Sequence, residues 1–215
     1  MADFSPFYET GLRLSGPLSE KCTFTLVLVN GWQNIRENNN DKAIGTQLQH
    51  QLNDRIFLNW STFIGNEAPT NSQSQLRIFN DWFIQAQIHD RVDAALIFDS
   101  GFQKRASLST WDPWYAMTFY TRIRATPRLK FGGRVEYFSE KKQVIVPTGT
   151  PKGFQTFSVS ANIDYAPVDY FLWRIESRFY RSKDAVFPSC PVNKRNSGMI
   201  TMSFAMYLEW VLLRW

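Results

Sequence analysis

Apolar and polar residues alternate with a period of two along much of this chain. Phe157, Val159, Ala161, Ile163 and Tyr165 share one face of an extended segment, and Thr156, Ser158, Ser160, Asn162 and Asp164 share the other. Phe171, Trp173, Ile175 and Phe179 lie opposite Arg174, Glu176 and Arg178, and Leu129, Phe131, Val135 and Tyr137 oppose Lys130, Arg134 and Glu136. Between Ala43 and Leu52, the glutamines Gln47, Gln49 and Gln51 stand against Ile44, Leu48 and Leu52. Period two is the repeat of a β-strand and fixes which face meets an apolar phase. It does not say whether that phase is lipid or a protein core.

The alternating runs come in pairs joined by short turns, and successive pairs are joined by longer polar loops. The predicted runs are Tyr8 to Gly16, Cys22 to Trp32, Ala43 to Leu52, Arg55 to Gly65, Arg77 to His89 and Val92 to Gly101. They continue as Trp114 to Ala125, Leu129 to Ser139, Phe154 to Tyr165, Tyr170 to Arg181 and a last run from Gly198 onward. Short turns are expected at Pro17–Glu20, Asn53–Asp54, Asp90–Arg91, Thr126–Arg128 and Ala166–Asp169. The expected loops are Gln33–Lys42, Asn66–Gln75, Phe102–Ser109, Glu140–Gly153 and Ser182–Asn196. About eleven strands of roughly 9–12 residues result, the length a tilted strand needs to cross a bilayer. Soluble strands are usually nearer five or six residues, about half that. Short turns on one side and long loops on the other are the asymmetry of outer-membrane barrels.

Two further details bear on lipid against core. Tyr8, Trp32, Trp111, Trp114, Tyr137, Tyr165, Tyr170 and Tyr180 cluster at run ends, where Trp and Tyr would sit at a membrane interface with the ring buried and the polar atom wet. The polar faces carry Arg122, Arg134, Glu136, Arg174, Glu176 and Arg178 at mid-strand, which suits a hydrated lumen. On a soluble β-sandwich the same charges would form a solvated outer face, and that alternative stays open on these residues alone. The final run, with Ile200, Met202, Phe204, Met206, Leu208 and Trp210 on one face, keeps period two and reads as a strand, not a helix.

Composition narrows the class. The 215 residues include 16% aromatics but only 11 glycines and 10 prolines, which excludes a low-complexity or disordered chain. Nothing resembles a linker, so residues 1–215 read as a single all-β body. The mean hydropathy of -0.31 looks soluble, yet a barrel strand buries only alternate residues in lipid and keeps its average low. No apolar run approaches the roughly 18 residues of a spanning helix. The net charge of +5 is spread along the chain without a polybasic run, so no nucleic-acid partner is expected. Cys22 and Cys190 sit in no metal-ligand spacing, and no disulfide follows from their positions. Met1 to Pro6 lacks the basic start and apolar core of an export signal.

Catalytic chemistry is sparse. The two histidines, His50 and His89, each fall near a short turn and read as structural or interfacial. No nucleophile elbow or H-E-x-x-H pattern occurs. Gly132-Gly133 reads as packing glycines in a strand, not a phosphate loop. No catalytic, cofactor-binding or metal-ligating residues are expected, and the protein is not expected to be an enzyme.

At this point several segments resemble a known family. Met1 to Gly11, Leu28 to Gln33, Glu37 to Asn40 and Asn59 to Glu67 are similar to the OmpL-like β-barrel porins of Bacteroidota, as are Trp114 to Met117, Gly132 to Tyr137 and Arg174 to Tyr180. The similarity runs over nearly the whole chain and is most specific in its first two-thirds. It implies an antiparallel up-and-down transmembrane β-barrel in the outer membrane, exported by a signal peptide. The start Met1 to Glu9 resembles an internal family segment, so the resemblance implies a barrel whose signal peptide and early strands precede this part. An unclosed edge would leave unpaired backbone groups in hydrocarbon, each costing about several kcal/mol. The chain alone is therefore expected to close with distortion, pair with another chain or fail to insert.

The resulting expectation is a passive channel for small hydrophilic solutes, in contact with the lipid bilayer. The residues expected to line it are Arg122, Arg124, Lys130, Arg134, Glu136, Arg174, Glu176 and Arg178. The basic members outnumber Glu136, Glu176 and Glu209, which suggests weak anion preference. Arg174, Glu176 and Arg178 read equally well as a salt-bridged ladder stiffening the wall. A structural or adhesin-type barrel that binds a partner through its long loops, association into a homo-oligomer, and a soluble binding module all stay open.

Overall fold

The computed structural model describes residues 6, 8–105 and 110–207. They form one antiparallel sheet of eleven strands, each paired with its neighbours in sequence order. The strands are β1 (Gly11–Ser19), β2 (Cys22–Val29), β3 (Ala43–Asn53), β4 (Ile56–Asn66), β5 (Leu76–His89), β6 (Val92–Lys104), β7 (Trp111–Arg124), β8 (Leu129–Glu140), β9 (Phe154–Val168), β10 (Phe171–Ser182) and β11 (Asn196–Met206). The up-and-down order puts the turns 20–21, 54–55, 90–91, 125–128 and 169–170 on one rim. The longer connections 30–42, 67–75, 141–153 and 183–195 fall on the other.

The sheet is strongly curled, and the burial of its two faces is inverted relative to a soluble protein. Curling brings Trp114 of β7 into a stacked contact with Phe79 of β5, 6.5 Å between centroids, across the intervening strand. On the concave face Thr118, Glu136, Thr156 and Ser158 are at most 2% exposed. On the convex face Trp60, Met117, Phe119 and Ile163 are 44–50% exposed. A sandwich hides its apolar face and wets its polar one. Here the polar face is enclosed and the apolar face is presented outward, as a bilayer requires. The soluble-sandwich alternative therefore falls: among the described residues the single sheet has no second layer to receive that apolar surface.

β1 and β11 make no contact with one another among the described residues, so the sheet does not close on itself. Leu12 and Leu14 on β1, and Ile200 and Phe204 on β11, are correspondingly 65–75% exposed. In hydrocarbon those two edges need partner strands for their backbone N–H and C=O groups.

Three local expectations are corrected. Pro17 and the segment 166–168 belong to strands and not to turns. The pairing shifts register next to both, between Pro17 and Ser19 and between Phe171 and Trp173, so each proline sits at an irregularity of the ladder. Residues 102–104 and 111–113 extend β6 and β7 beyond the expected ends, with Phe102 opposite Pro113. Among the run-end aromatics, Trp32 and Trp114 are buried inside the curl at 6% and 1% exposure, not placed at an interface. Tyr180 also faces inward, its ring 4.7 Å from the Arg178 guanidinium. Tyr8, Trp111, Tyr165 and Tyr170 remain exposed. Leu208, Trp210 and the other residues of the last run beyond Tyr207 lie outside the described residues. Both cysteines are free thiols.

Candidate functional site

The charged wall is built from β6 to β10, whose inward positions alternate with the lipid-type residues of the convex face. Between Thr156 and Asp164, β9 supplies only short inward side chains: Thr156, Ser158, Ser160, Asn162 and Asp164. Its neighbours β8 and β10 supply the long ones. That arrangement lets charged groups on β8 and β10 meet over the top of β9. Arg178 donates from Nη2 to Glu136 Oε2 at 2.6 Å and to Ser158 Oγ at 3.2 Å. Arg134 Nη2 donates to Glu176 Oε1 at 3.3 Å. Arg174 binds its direct cross-strand partner Asp164 through both oxygens, at 2.6 and 2.5 Å.

Nearer the short turns, Asp93 of β6 receives two guanidiniums. Arg122 donates to its Oδ2 from Nε at 3.0 Å and Nη2 at 2.7 Å; Arg124 binds both its oxygens and the Asp90 carbonyl. Gly132 opens room for the side chain of Asn162, since a Cβ there would lie 2.1 Å from the Asn162 Oδ1. The Asn162 amide then donates to Asp164 at 2.7 Å. Gly132 is thus a packing glycine, as expected. Lys130 faces Asp164 across the β8–β9 pair and makes no hydrogen bond or ion pair among the described residues. A cavity of about 350 Å³ lies among Arg122, Lys130, Arg134, Arg174 and the carboxylates that face them.

All eight residues named from the sequence lie on this one concave face: Arg122, Arg124, Lys130, Arg134, Glu136, Arg174, Glu176 and Arg178. The charge balance differs from the expectation. The same face also carries Asp81, Asp93, Asp99, Glu140 and Asp164, together with Arg77. Basic surplus is therefore confined to the short-turn half, where Arg122, Arg124, Lys130, Arg134 and Arg174 stand against Asp93, Asp164 and Glu176. Toward the long loops, Arg77 and Arg178 stand against Asp81, Asp99, Glu136 and Glu140. Glu209 lies outside the described residues. The overlooked aspartates were visible in the alternation, because Asp93 and Asp99 share the parity of Ala95 and Ile97 against Leu96 and Phe98. An acid within an otherwise apolar run marks the enclosed polar face.

The two histidines lie near the short-turn ends of β3 and β5. His50 shares the convex face with Leu48, opposite Leu58. His89 accepts the Arg91 amide through Nδ1 at 3.3 Å and shapes the 90–91 turn. Among the described residues, no group of three or more His, Cys, Asp or Glu side chains is arranged to hold a metal ion.

The fold recurs among solved structures. The NanC porin aligns over 94% of this chain and 93% of its own, with a TM-score of 0.54 and 12% sequence identity. A structure from a study of in-meso crystallization of membrane proteins aligns over 94% of this chain and 79% of its own, with a TM-score of 0.40 and 13% identity. No individually curated protein matches the chain in sequence. The family model for "Putative beta-barrel porin-2, OmpL-like" matches residues 1–208, and the chain therefore belongs to that family of β-barrel porins.

Proposed function

We propose that this chain forms the wall of an outer-membrane channel for passive diffusion of small hydrophilic solutes, with weak preference for anions. The observation that carries the reading is the inverted burial of the sheet: a charged, enclosed concave face against an exposed apolar convex face. Such a wall offers solutes a hydrated path while its outer surface meets lipid tails. The residues proposed to line the path are Arg122, Arg124, Lys130, Arg134, Glu136, Arg174, Glu176 and Arg178. Fixed charge raises the local concentration of counter-ions. The surplus of basic groups in the short-turn half favours anions there, and the carboxylates toward the long loops keep the preference small. No catalytic role is proposed; Arg124, Arg134, Arg174 and Arg178 are each engaged by a carboxylate of the concave face.

Planar-bilayer recordings of the full chain test this. The expected result is stepwise conductance with a reversal potential on the chloride side in a potassium chloride gradient. Cation selectivity overturns the anion preference, and inserted protein that passes no current overturns the channel.

A further inference from the structure

The concave face changes character at its long-loop end. Val29, Phe63, Phe79, Trp114 and Phe138 point inward there and are 1–4% exposed. Apolar side chains facing a water-filled passage would be uncovered, and two of the long connections fold inward to cover them.

The first is the 30–42 connection. Positive φ angles at Gly31 (122°) and Gln33 (58°) turn the chain so that Trp32 enters the curl. Its ring meets Phe63, Phe79 and Trp114 edge-on at 5.3, 5.0 and 6.2 Å. The Arg77 guanidinium lies 5.0 Å from the Trp32 ring and 5.8 Å from that of Trp114. Glu67 links the two groups, accepting the Trp32 amide at 3.1 Å and pairing with Arg77 at 3.7 Å. Farther along the same connection, the buried Asn39 amide donates to the carbonyls of Asn66 and Ala68 at 3.1 and 2.8 Å. The second is the 141–153 connection. The amides of Ile145 and Val146 donate to the fully buried Glu140 carboxylate. Val144, Ile145 and Val146 then pack on the same cluster.

We infer that residues 30–42 are the constriction of the channel and that Trp32 determines how much of the long-loop mouth is open. This rests on the channel reading above. Trp32 is held from above by its own connection and from the sides by the wall, so it occupies cross-section that the concave wall alone would leave to solutes. The contacts are directional: a bulky ring fixed by Arg77, Glu67 and Trp114 cannot swing aside as a free loop would. Passage past it is limited to small solutes, and the smaller the side chain at position 32, the larger the current.

The test compares single-channel conductance of the full chain with that of Trp32→Ala and Asn39→Ala in planar bilayers. Val192→Ala, exposed in the 183–195 connection, serves as the control. The expected result is a rise on the order of twofold for Trp32→Ala, since removing the ring widens a narrow passage. Asn39→Ala, which keeps the ring's own contacts but frees the rest of the 30–42 connection from the carbonyls of Asn66 and Ala68, is expected to give brief excursions from the wild-type level to a higher one. Val192→Ala keeps the wild-type value. If the wild type conducts and both Trp32→Ala and Asn39→Ala reproduce its conductance, the constriction is overturned while the channel stands. If none of the inserted proteins conducts, the channel reading itself fails. A silent wild type beside a conducting Trp32→Ala supports a mouth fully closed by Trp32.

Discussion

Arg178 on β10 reaches over Ser158 of β9 to Glu136 on β8, with 2.6 Å between Nη2 and Oε2, while Glu136 is 1% and Arg178 12% exposed at the side chain. The partners sit two strands apart, so the bond spans the curl instead of following one hairpin. Arg134 and Glu176 repeat the same crossing one step nearer the short turns. The alternating charges of β10 are therefore a ladder of ion pairs bracing the wall, and the same residues face the enclosed space.

Breaking one rung is expected to be costly because its partner stays enclosed and charged. Arg178→Ala should destabilise the sheet by roughly 3 kcal/mol, the low end of what removing one partner of a buried ion pair costs, because Arg134 Nε stays 3.9 Å from the Glu136 carboxylate. The double substitution Arg178→Met with Glu136→Leu should recover most of that loss. Ser158→Phe should act like Arg178→Ala, since it adds bulk exactly where the guanidinium crosses β9. Denaturant unfolding in detergent micelles measures all three; an Arg178→Ala midpoint equal to wild type would remove the ladder from the account of stability.

Selectivity should respond to Lys130, which acts on Asp164 through its charge but is joined to it by no ion pair or hydrogen bond among the described residues. Lys130 has no ion-pair partner among the described residues, whereas Arg122, Arg124 and Arg174 are each bound to an aspartate. Lys130→Glu therefore changes the free charge of the short-turn half directly. The anion-to-cation permeability ratio is expected to fall on the order of twofold, with conductance little altered. Reversal potentials in a salt gradient read this out. An unchanged ratio would place the selectivity elsewhere on the wall.

Much of this was legible in the residues and some was not. The β7 alternation of Tyr115, Met117 and Phe119 against Ala116 and Thr118 gives strand and facing at once, because period two admits no other regular element. The Asp90–Arg91 turn is equally plain between two long runs. Pro17 and Pro167 misplace two turns, because a proline is tolerated inside a strand where the ladder is already irregular. Trp32 and Trp114 resemble interfacial aromatics by position, yet they turn inward. Their destination depends on Arg77 and Phe79, brought beside them only when the sheet curls. The Arg178–Glu136 and Arg134–Glu176 pairs are hidden for the same reason: strand parity shows a shared face but not which charges meet over β9.

The two faces should tolerate charge very differently. Phe119 is 46% exposed on the convex face in the middle of β7, and Ser160 lies inward on β9 beside Arg134 and Arg178. Phe119→Arg should cost about 2–4 kcal/mol in a bilayer, as an arginine facing lipid near the midplane does. Phe119→Arg is expected to reduce insertion into vesicles sharply, whereas Ser160→Glu, facing two guanidiniums, should insert as well as wild type. Protease protection of the reconstituted protein measures the difference. Equal insertion of both variants would mean that the convex face does not meet lipid.

Trp114 depends on a glycine across the sheet. Gly101 is its direct partner on β6, and a Cβ built there would lie 1.9 Å from the Trp114 ring. The indole occupies the space of that missing side chain and meets both Phe79 and Trp32. Any larger residue at position 101 must push the ring into the mouth or tilt it off Phe79. The surrounding contacts leave little slack, because Trp114 is 1% exposed. Gly101→Val should therefore destabilise the sheet by about 1–3 kcal/mol, the usual cost of overpacking, and shift the fluorescence of the buried tryptophans to longer wavelength as Trp32 loses its cover. A variant with wild-type emission and stability would show that the ring can be rehoused without strain, and would detach Trp114 from the packing that holds the mouth.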